Sequence, residues 1–246
     1  MTRSFTALDV EALNHRFAEA DAGSILDFAL ETFGPSLAFA CSLGLEDAAL
    51  VELISRRDTK PRVFFLDTGR LHPETYDTLA RLQERYGIAI ETYFPEAAAV
   101  EAFVNARGPN AFYDSLELRK ACCAIRKVEP LNRALKGAEA WITGLRREQA
   151  ATRSGLGPFE VDGGHGGILK VNPLIGWSHG EVRAFVRDHG IPINPLHDAG
   201  YPSIGCAPCT RAVLPGEDIR AGRWWWERPE HKECGLHTAP PAAKGA

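Results

Sequence analysis

The chemistry in this chain is concentrated in its six cysteines, Cys41, Cys122, Cys123, Cys206, Cys209 and Cys234. Four of them come as two pairs: Cys122 and Cys123 are adjacent, and Cys206-Ala207-Pro208-Cys209 is a Cys-x-x-Cys turn. Adjacent cysteines do not readily bond to each other, because their side chains diverge in either helix or strand. Either pair alone reads as ordinary buried thiols. Together they supply four thiolates, enough to close a tetrahedral zinc site or an iron–sulfur cubane. Structural zinc favours a Cys-x-x-Cys knuckle on both sides, and a vicinal pair serves more easily as ligands to neighbouring irons. Arg119, Lys120, Arg126 and Lys127 surround that pair, and such cations favour the thiolate form.

Cys234 stands apart, 25 residues after Cys209, in Lys232-Glu233-Cys234-Gly235-Leu236-His237. It is too remote to join the same metal site. A lysine and a histidine beside a thiol near a chain end describe a reactive nucleophile rather than a structural cysteine. Two further stretches suit an anionic, nucleotide-like ligand. Cys41-Ser42-Leu43-Gly44-Leu45-Glu46-Asp47 joins a predicted strand to a helix and presents backbone N–H groups and a helix N-terminus. Leu66-Asp67-Thr68-Gly69-Arg70 ends the next strand with a carboxylate and a hydroxyl suited to a ribose or a base edge. Its plainer role would be capping the following helix. Neither a Walker loop nor a Gly-x-Gly-x-x-Gly fingerprint is present. Arg146, Arg147, Arg153, Arg220 and Arg223 cluster near these motifs and carry the forks that phosphate and sulfate oxygens favour. Trp224-Trp225-Trp226 reads as packing, and His72, His165, His179, His189, His197 and His231 lack metal spacing.

These groups need a scaffold. Apolar runs at 36–41, 62–67, 88–94, 140–145 and 167–174 predict five buried strands, separated by helical patterns over 42–57, 73–86 and around 97–107. Strands alternating with helices, each strand nearly continuously apolar, predict an α/β fold: a parallel sheet with a mixed edge, covered by helices on both faces. Residues 6–33 predict two short amphipathic helices broken at Gly23-Ser24, with Ser24 as N-cap. The glycine-rich stretch 155–167 predicts a mobile loop or lid. The expected organisation is a helical lead-in over 1–34 and a nucleotide-binding domain over 35–205. A catalytic segment over 206–237, mobile and anchored by its first cysteines, and a disordered tail over 238–246 complete it.

With 246 residues the chain can bury a substantial core, and a net charge of −4 argues against bulk nucleic-acid or membrane binding. No apolar run reaches the ~18 residues of a membrane span, and MTRSFTALDVEAL lacks the features of a secretory signal. The expected location is the cytoplasm, where cysteines are more often ligands or catalytic thiols than disulfides.

As a set, SLGLED, LDTGR, TGLRREQ with TRS, the Cys-Cys and Cys-x-x-Cys pairs, and KECGLH resemble the assimilatory sulfonucleotide reductases of the iron–sulfur type over residues 35–237. The resemblance implies an adenine nucleotide alpha-hydrolase-like fold of the PP-loop type. It implies one [4Fe–4S] cluster held by Cys122, Cys123, Cys206 and Cys209, with Cys234 as nucleophile. It also implies a substrate site lined by Ser42, Asp67, Thr68, Lys127, Arg153, Arg220, Arg223 and His237. The implied substrate is adenosine 5′-phosphosulfate (APS), since relatives lacking the cluster cysteines take the 3′-phosphorylated nucleotide. The implied electron donor is thioredoxin or a glutaredoxin-like protein. Use of the 3′-phosphorylated nucleotide, alone or alongside APS, is the nearest alternative. More distant are an ATP pyrophosphatase of the PP-loop type and a zinc-stabilised binding module. Cys41 departs from the hydroxyl or small residue usual in relatives, and its role is open, as is a homo-oligomeric state.

Overall fold

A computed structural model describes residues 5–149, 155–228, 232 and 236. Arg153, Cys234, His237 and the tail 238–246 lie outside the described residues, as do His231 and most of the segment expected to be mobile around Cys234.

Helices α1 (Ala7–Arg16) and α2 (Ala22–Phe33) lead in. The cap of α2 is Asp21, not Ser24: its carboxylate accepts from the Ser24 N–H, so the helix starts earlier and runs through Gly23. An ionised carboxylate three residues ahead is a strong N-cap, which lets the helix absorb its glycine.

The predicted alternation then follows: β1 (Leu37–Ala40), α3 (Leu45–Ser55), β2 (Arg62–Leu66), α4 (Pro73–Tyr86), β3 (Ile90–Tyr93) and α5 (Ala97–Arg107). Next come α6 (Leu116–Cys123), a π-helical turn at Ala124–Val128, α7 (Glu129–Ala134) and β4 (Ala140–Ile142). Strands β5 (Phe159–Asp162) and β6 (Ile168–Val171) and helix α8 (His179–Asp188) complete the regular elements. The sheet order is β3-β2-β1-β4-β6-β5. All neighbours are parallel except β5 against β6.

Strand alternation assigns the two faces. Leu37 and Phe39 of β1 bury against α2, α3 and α8 together with Leu26, Leu50 and Val182. Ala38 of the same strand turns the other way, with Phe64, Trp141 and Leu131 under α7. The chain leaves β1 for β2 on one side and returns to β4 on the other, so a crevice opens beyond the carboxyl ends of β1 and β4.

The stretch expected to be a lid is the edge strand β5. Phe159 is buried against Phe17 and Phe28, and Asn14 clasps its backbone, donating to its carbonyl and accepting from its N–H. Four residues between glycines are too few to show a period. The hydrogen bonds that hold β5 come from β6 and from a side chain 145 positions away.

Candidate active site

A cavity of about 250 Å³ fills the crevice. Its floor is the end of the sheet: Ser42, Gly44 and Asp47 after β1, Thr68 after β2, and Thr143, Gly144 and Arg146 after β4. Lys127 enters from the π turn, and Arg220, Arg223 and Leu236 from the C-terminal segment. Elements far apart in sequence thus converge on one volume, with cations on several sides.

The loop after β1 is locally strained. Leu43 sits at φ +63°, an uncommon conformation for a leucine that turns successive N–H groups toward one concavity. Ser42 donates through both its N–H and its Oγ to Asp47 Oδ2, at 2.5 and 2.6 Å. Asp47 is buried, and a Cβ on Gly144 would collide with its Oδ1, so glycine is required there for the close approach. Burial pushes the Asp47 carboxyl up to about 7, against the lowering effect of the Ser42 bonds and with a smaller upward push from Glu46. Arg146, 1% exposed, forks onto Glu46 at 2.8 Å and reaches Glu148 at 3.2 Å.

Asp67 faces its own turn instead of the cavity: Oδ1 accepts from Gly69 N–H at 2.7 Å and from Tyr76 Oη at 3.0 Å. Its neighbour Thr68 lines the cavity and bridges to the sulfur region, with Oγ1 3.3 Å from Cys206 Sγ. The Thr68 carbonyl accepts from Arg126 at 2.6 Å.

Beside the cavity, Cys123, Cys206 and Cys209 pack with Phe112 and Trp224, and Cys122 and Trp226 lie against them. All four of these cysteines are free thiols. Helix α6 and the π turn deliver the vicinal pair. The Cys-x-x-Cys turn is held by Ala207 N–H donating to the Arg70 carbonyl at 2.7 Å and by Tyr113 Oη donating to the Pro208 carbonyl at 2.6 Å. A π turn inside a helix is a frequent mark of a functional site, and here it carries Arg126 and Lys127 past the thiols.

The thiols do not share one electrostatic state. Burial raises Cys206, but Lys127, the Thr68 hydroxyl, Arg223 and Arg126 more than offset it, and the net shift is downward. Burial followed by repulsion from Cys206 and Cys123 pushes Cys209 up to about 12. Burial likewise raises Cys122. Burial and mutual repulsion thus disfavour holding Cys122 and Cys209 as thiolates beside Cys206. Among the described residues no group of three or more His, Cys, Asp or Glu side chains is arranged to hold a metal ion, so these thiols are not a ready-made one-ion site. Trp224 is 1% exposed, and its Nε1–H finds no hydrogen-bond partner among the described residues. A buried donor beside four sulfurs, with no acceptor of its own, fits a bulkier thiolate-ligated group with acceptor atoms.

The arm that carries Trp224 is fastened by charge. Arg119, fully buried, makes a two-pronged pair with Glu227 at 2.8 Å for each prong and also interacts with Cys123. The guanidinium groups of Arg119 and Arg223 lie 4.7 and 4.6 Å from the Trp224 ring centre. Trp224 adopts φ +41°, a strained position for a bulky residue. Arg223 donates to Ser203 Oγ and the Ile204 carbonyl, and its guanidinium lies where a Cβ on Gly205 would be. Arg220 donates to the Lys232 carbonyl at 2.7 Å. Of the site residues expected from sequence, Ser42, Thr68, Lys127, Arg220 and Arg223 line the cavity and the four paired cysteines adjoin it. Cys41 also lines it, as a buried thiol raised by burial and by Asp47. Glu227 joins the site without a sequence signal of its own, and the contacts of Asp47, Arg119 and Gly144, all three within stretches singled out from sequence, come only from the fold. Asp47 closes the anion-loop motif without any sign of its bond to Ser42, and the Arg119–Glu227 pair spans 108 positions.

Fold and site together define an α/β nucleotide-type pocket abutting a set of four thiols. The phosphoadenosine phosphosulfate reductase domain model matches residues 36–212, and the chain belongs to that family. It is 55% identical over 202 residues to the adenosine 5′-phosphosulfate reductase of Allochromatium vinosum, covering 82% of this chain and 78% of that protein. Its identity to the protein of the same name in Burkholderia cepacia is 54% over 199 residues, covering 81% and 79%. Among solved structures, phosphoadenylyl-sulfate reductase from Candida auris, a phosphate complex, superposes with TM-score 0.73 at 29% identity. The match covers 87% of this chain and all of that one. Among the described residues no helix is long and apolar enough to cross a membrane.

Proposed function

We propose that this chain reduces adenosine 5′-phosphosulfate to sulfite and AMP. The observation that carries the reading is the convergence of Lys127, Arg220 and Arg223 on a cavity that adjoins Cys122, Cys123, Cys206 and Cys209, in a chain whose relatives are named for this activity.

In this reading the four cysteines hold one [4Fe–4S] cluster, to which the unpartnered Trp224 N–H and the Thr68 hydroxyl are complementary. When bound, the cluster supplies a fixed block of negative charge beside the cavity. Lys127, Arg220 and Arg223 bind the phosphosulfate and offset the charge that builds on the departing phosphate. The Cys234 thiolate attacks the sulfur; the S–O bond to AMP breaks, and an S-sulfocysteine forms. A thiolate of reduced thioredoxin, or of a glutaredoxin-like donor, then attacks Cys234 Sγ and expels sulfite. The donor's second thiol resolves the mixed disulfide, so the donor dithiol supplies both electrons. Asp67 shapes the turn that presents Thr68; Arg153 and His237 complete the substrate contacts. Residues 206–237 act as the catalytic segment, fixed at its start by two ligands and carrying Cys234 on its far part. This chemistry requires reduced thiols, and the cytoplasm is the compartment we assign.

The test compares sulfite release from adenosine 5′-phosphosulfate and from its 3′-phosphorylated counterpart, anaerobically, with reduced thioredoxin. Preference for the unphosphorylated nucleotide is expected. Equal or reversed preference would reassign the substrate, and release from neither would remove the function.

A further inference from the structure

Ser42 lines the cavity, and both of its donors, its N–H and its hydroxyl, are taken by one oxygen of Asp47. A ligand anion entering this loop must compete with a carboxylate that occupies the anion position itself. Two like charges sharing hydrogen-bond donors in a buried pocket cannot both stay ionised. One must move away or lose its charge. Asp47 has little room to move, because Gly144 is packed against Oδ1 so closely that even a methyl group would not fit between them.

We infer that Asp47 is the resident acceptor of the anion loop and binds the nucleotide in its neutral form, so that a phosphosulfate meeting the ionised carboxylate brings one proton into the pocket. This rests on the proposed function. In the free protein the carboxylate holds Ser42 and keeps the loop in its strained shape around Leu43 at φ +63°. In the complex the substrate oxygen takes a Ser42 donor, and the protonated carboxyl turns from competitor into an O–H donor toward the anion. A carboxylic acid kept neutral by its surroundings can serve as a hydrogen-bond donor at neutral pH.

Of the groups around Asp47, its burial and Glu46 favour protonation, while the two Ser42 donors favour the carboxylate. From its own helix comes Glu46, a second carboxylate, whose charge is met by Arg146 at 2.8 Å rather than shared with Asp47. From the strand end comes the buried Cys41 thiol, and from the β4 loop come the backbone of Gly144 and the buried Arg146 guanidinium, which is paired with Glu46. The cations Lys127, Arg220 and Arg223 line the cavity from other elements, and none of them is among the causes that set the Asp47 carboxyl, whose ordinary range is already exceeded by burial.

The experiment is calorimetric titration of adenosine 5′-phosphosulfate, without reductant, into the cluster-loaded Cys234→Ser protein, which leaves the nucleotide intact if the proposed function holds. The ligand's own acid groups do not titrate in the window used. Runs at about pH 6 and about pH 8, each in two buffers of different ionisation enthalpy, count protons taken up. The expected result is almost no uptake at the lower pH and an uptake approaching one proton at the higher. Affinity should fall about tenfold per pH unit above the midpoint. In the Cys234→Ser/Asp47→Asn protein, whose amide still accepts from Ser42, uptake should vanish and affinity should be flat. Absence of uptake at the higher pH, or the same uptake with and without Asp47, overturns the inference while leaving the function standing. If the doubly substituted protein fails to fold, the proton count on Cys234→Ser alone decides. No binding at either pH removes the proposed function and the inference together.

Discussion

The two halves of the cavity are built on different principles. The nucleotide-facing half sits on the ends of β1, β2 and β4, behind strands whose side chains alternate cleanly between two apolar faces. Its polar groups satisfy one another locally: Ser42 with Asp47, Asp67 with Gly69 and Tyr76, and Arg146 with Glu46 and Glu148. Among the described residues after 201 the thiol half has little regular structure, and it is held by contacts across the sequence. These are the Arg119–Glu227 pair, two guanidinium groups at Trp224, and the Thr68 and Tyr113 contacts to the Cys-x-x-Cys turn. One half is stable on apolar burial and keeps a single competing acid in its ligand position. The other packs four free thiols together and, among the described residues, leaves the buried Trp224 N–H without an acceptor.

The sharpest way to break that contrast within the protein is to cut the strut of the thiol half. In Glu227→Ala the buried Arg119 charge loses its partner, and a cost of about 3–5 kcal/mol is expected. Denaturant unfolding of the cluster-loaded protein measures it, and the iron content should fall in parallel. A change below about 1 kcal/mol would mean that the arm is held by something other than this pair.

A smaller effect is expected on the sheet side. Asp162 accepts from Trp141 Nε1 at 2.9 Å and pairs with His165 at 2.8 Å, which fixes the Trp141 ring in the cavity wall. Asp162→Asn should cost about 1–3 kcal/mol at neutral pH. Burial alone would raise the Asp162 carboxyl, but His165, Lys170 and Trp141 outweigh it and hold it below its usual range. Its contribution is therefore present above the unfolded carboxylate range and lost as pH falls toward the folded value. The gap between wild type and Asp162→Asn should close on acidification below about pH 4. A gap that widens on acidification would contradict the assignment.

The smallest effect is expected far from both halves. Arg183 and Asp198 form an ion pair at 2.9 Å with both side chains well exposed, and Arg183→Ala should change stability by less than about 1 kcal/mol. A larger loss in the same unfolding assay would show that the surface, too, carries long-range structure.

The contrast also explains what can be read from sequence. Strands β1, β2 and β4 and helix α4 follow from apolar runs and a proline start, because a buried strand or an amphipathic helix writes its period into a few consecutive residues. The motif residues Ser42, Thr68, Lys127, Arg220 and Arg223 are recognisable as chemical types at strand ends or beside cysteines, and they meet at the cavity. Asp47 is named within the anion-loop motif, but its bond to Ser42 is hidden because a carboxylate in the first turn of a helix is ordinary; the close approach of Gly144, from another strand's loop, buries it there. Glu227 is hidden because its partner lies 108 residues earlier. Strand β5 reads as a lid because glycines flank a segment too short to show alternation. Asp67 is expected at the ligand, yet a carboxylate two residues before a glycine readily closes its own turn.

In the proposed function the labour is divided: four cysteines hold the cluster and Cys234 performs the sulfur chemistry. Cys234→Ser, purified anaerobically and assayed for sulfite release with reduced thioredoxin alongside iron and sulfide content, tests it most directly. No turnover and an intact cluster are expected, with about four irons per chain, as all-cysteine ligation of such a centre requires. Retained sulfite release, or a cluster lost along with Cys234, would contradict it.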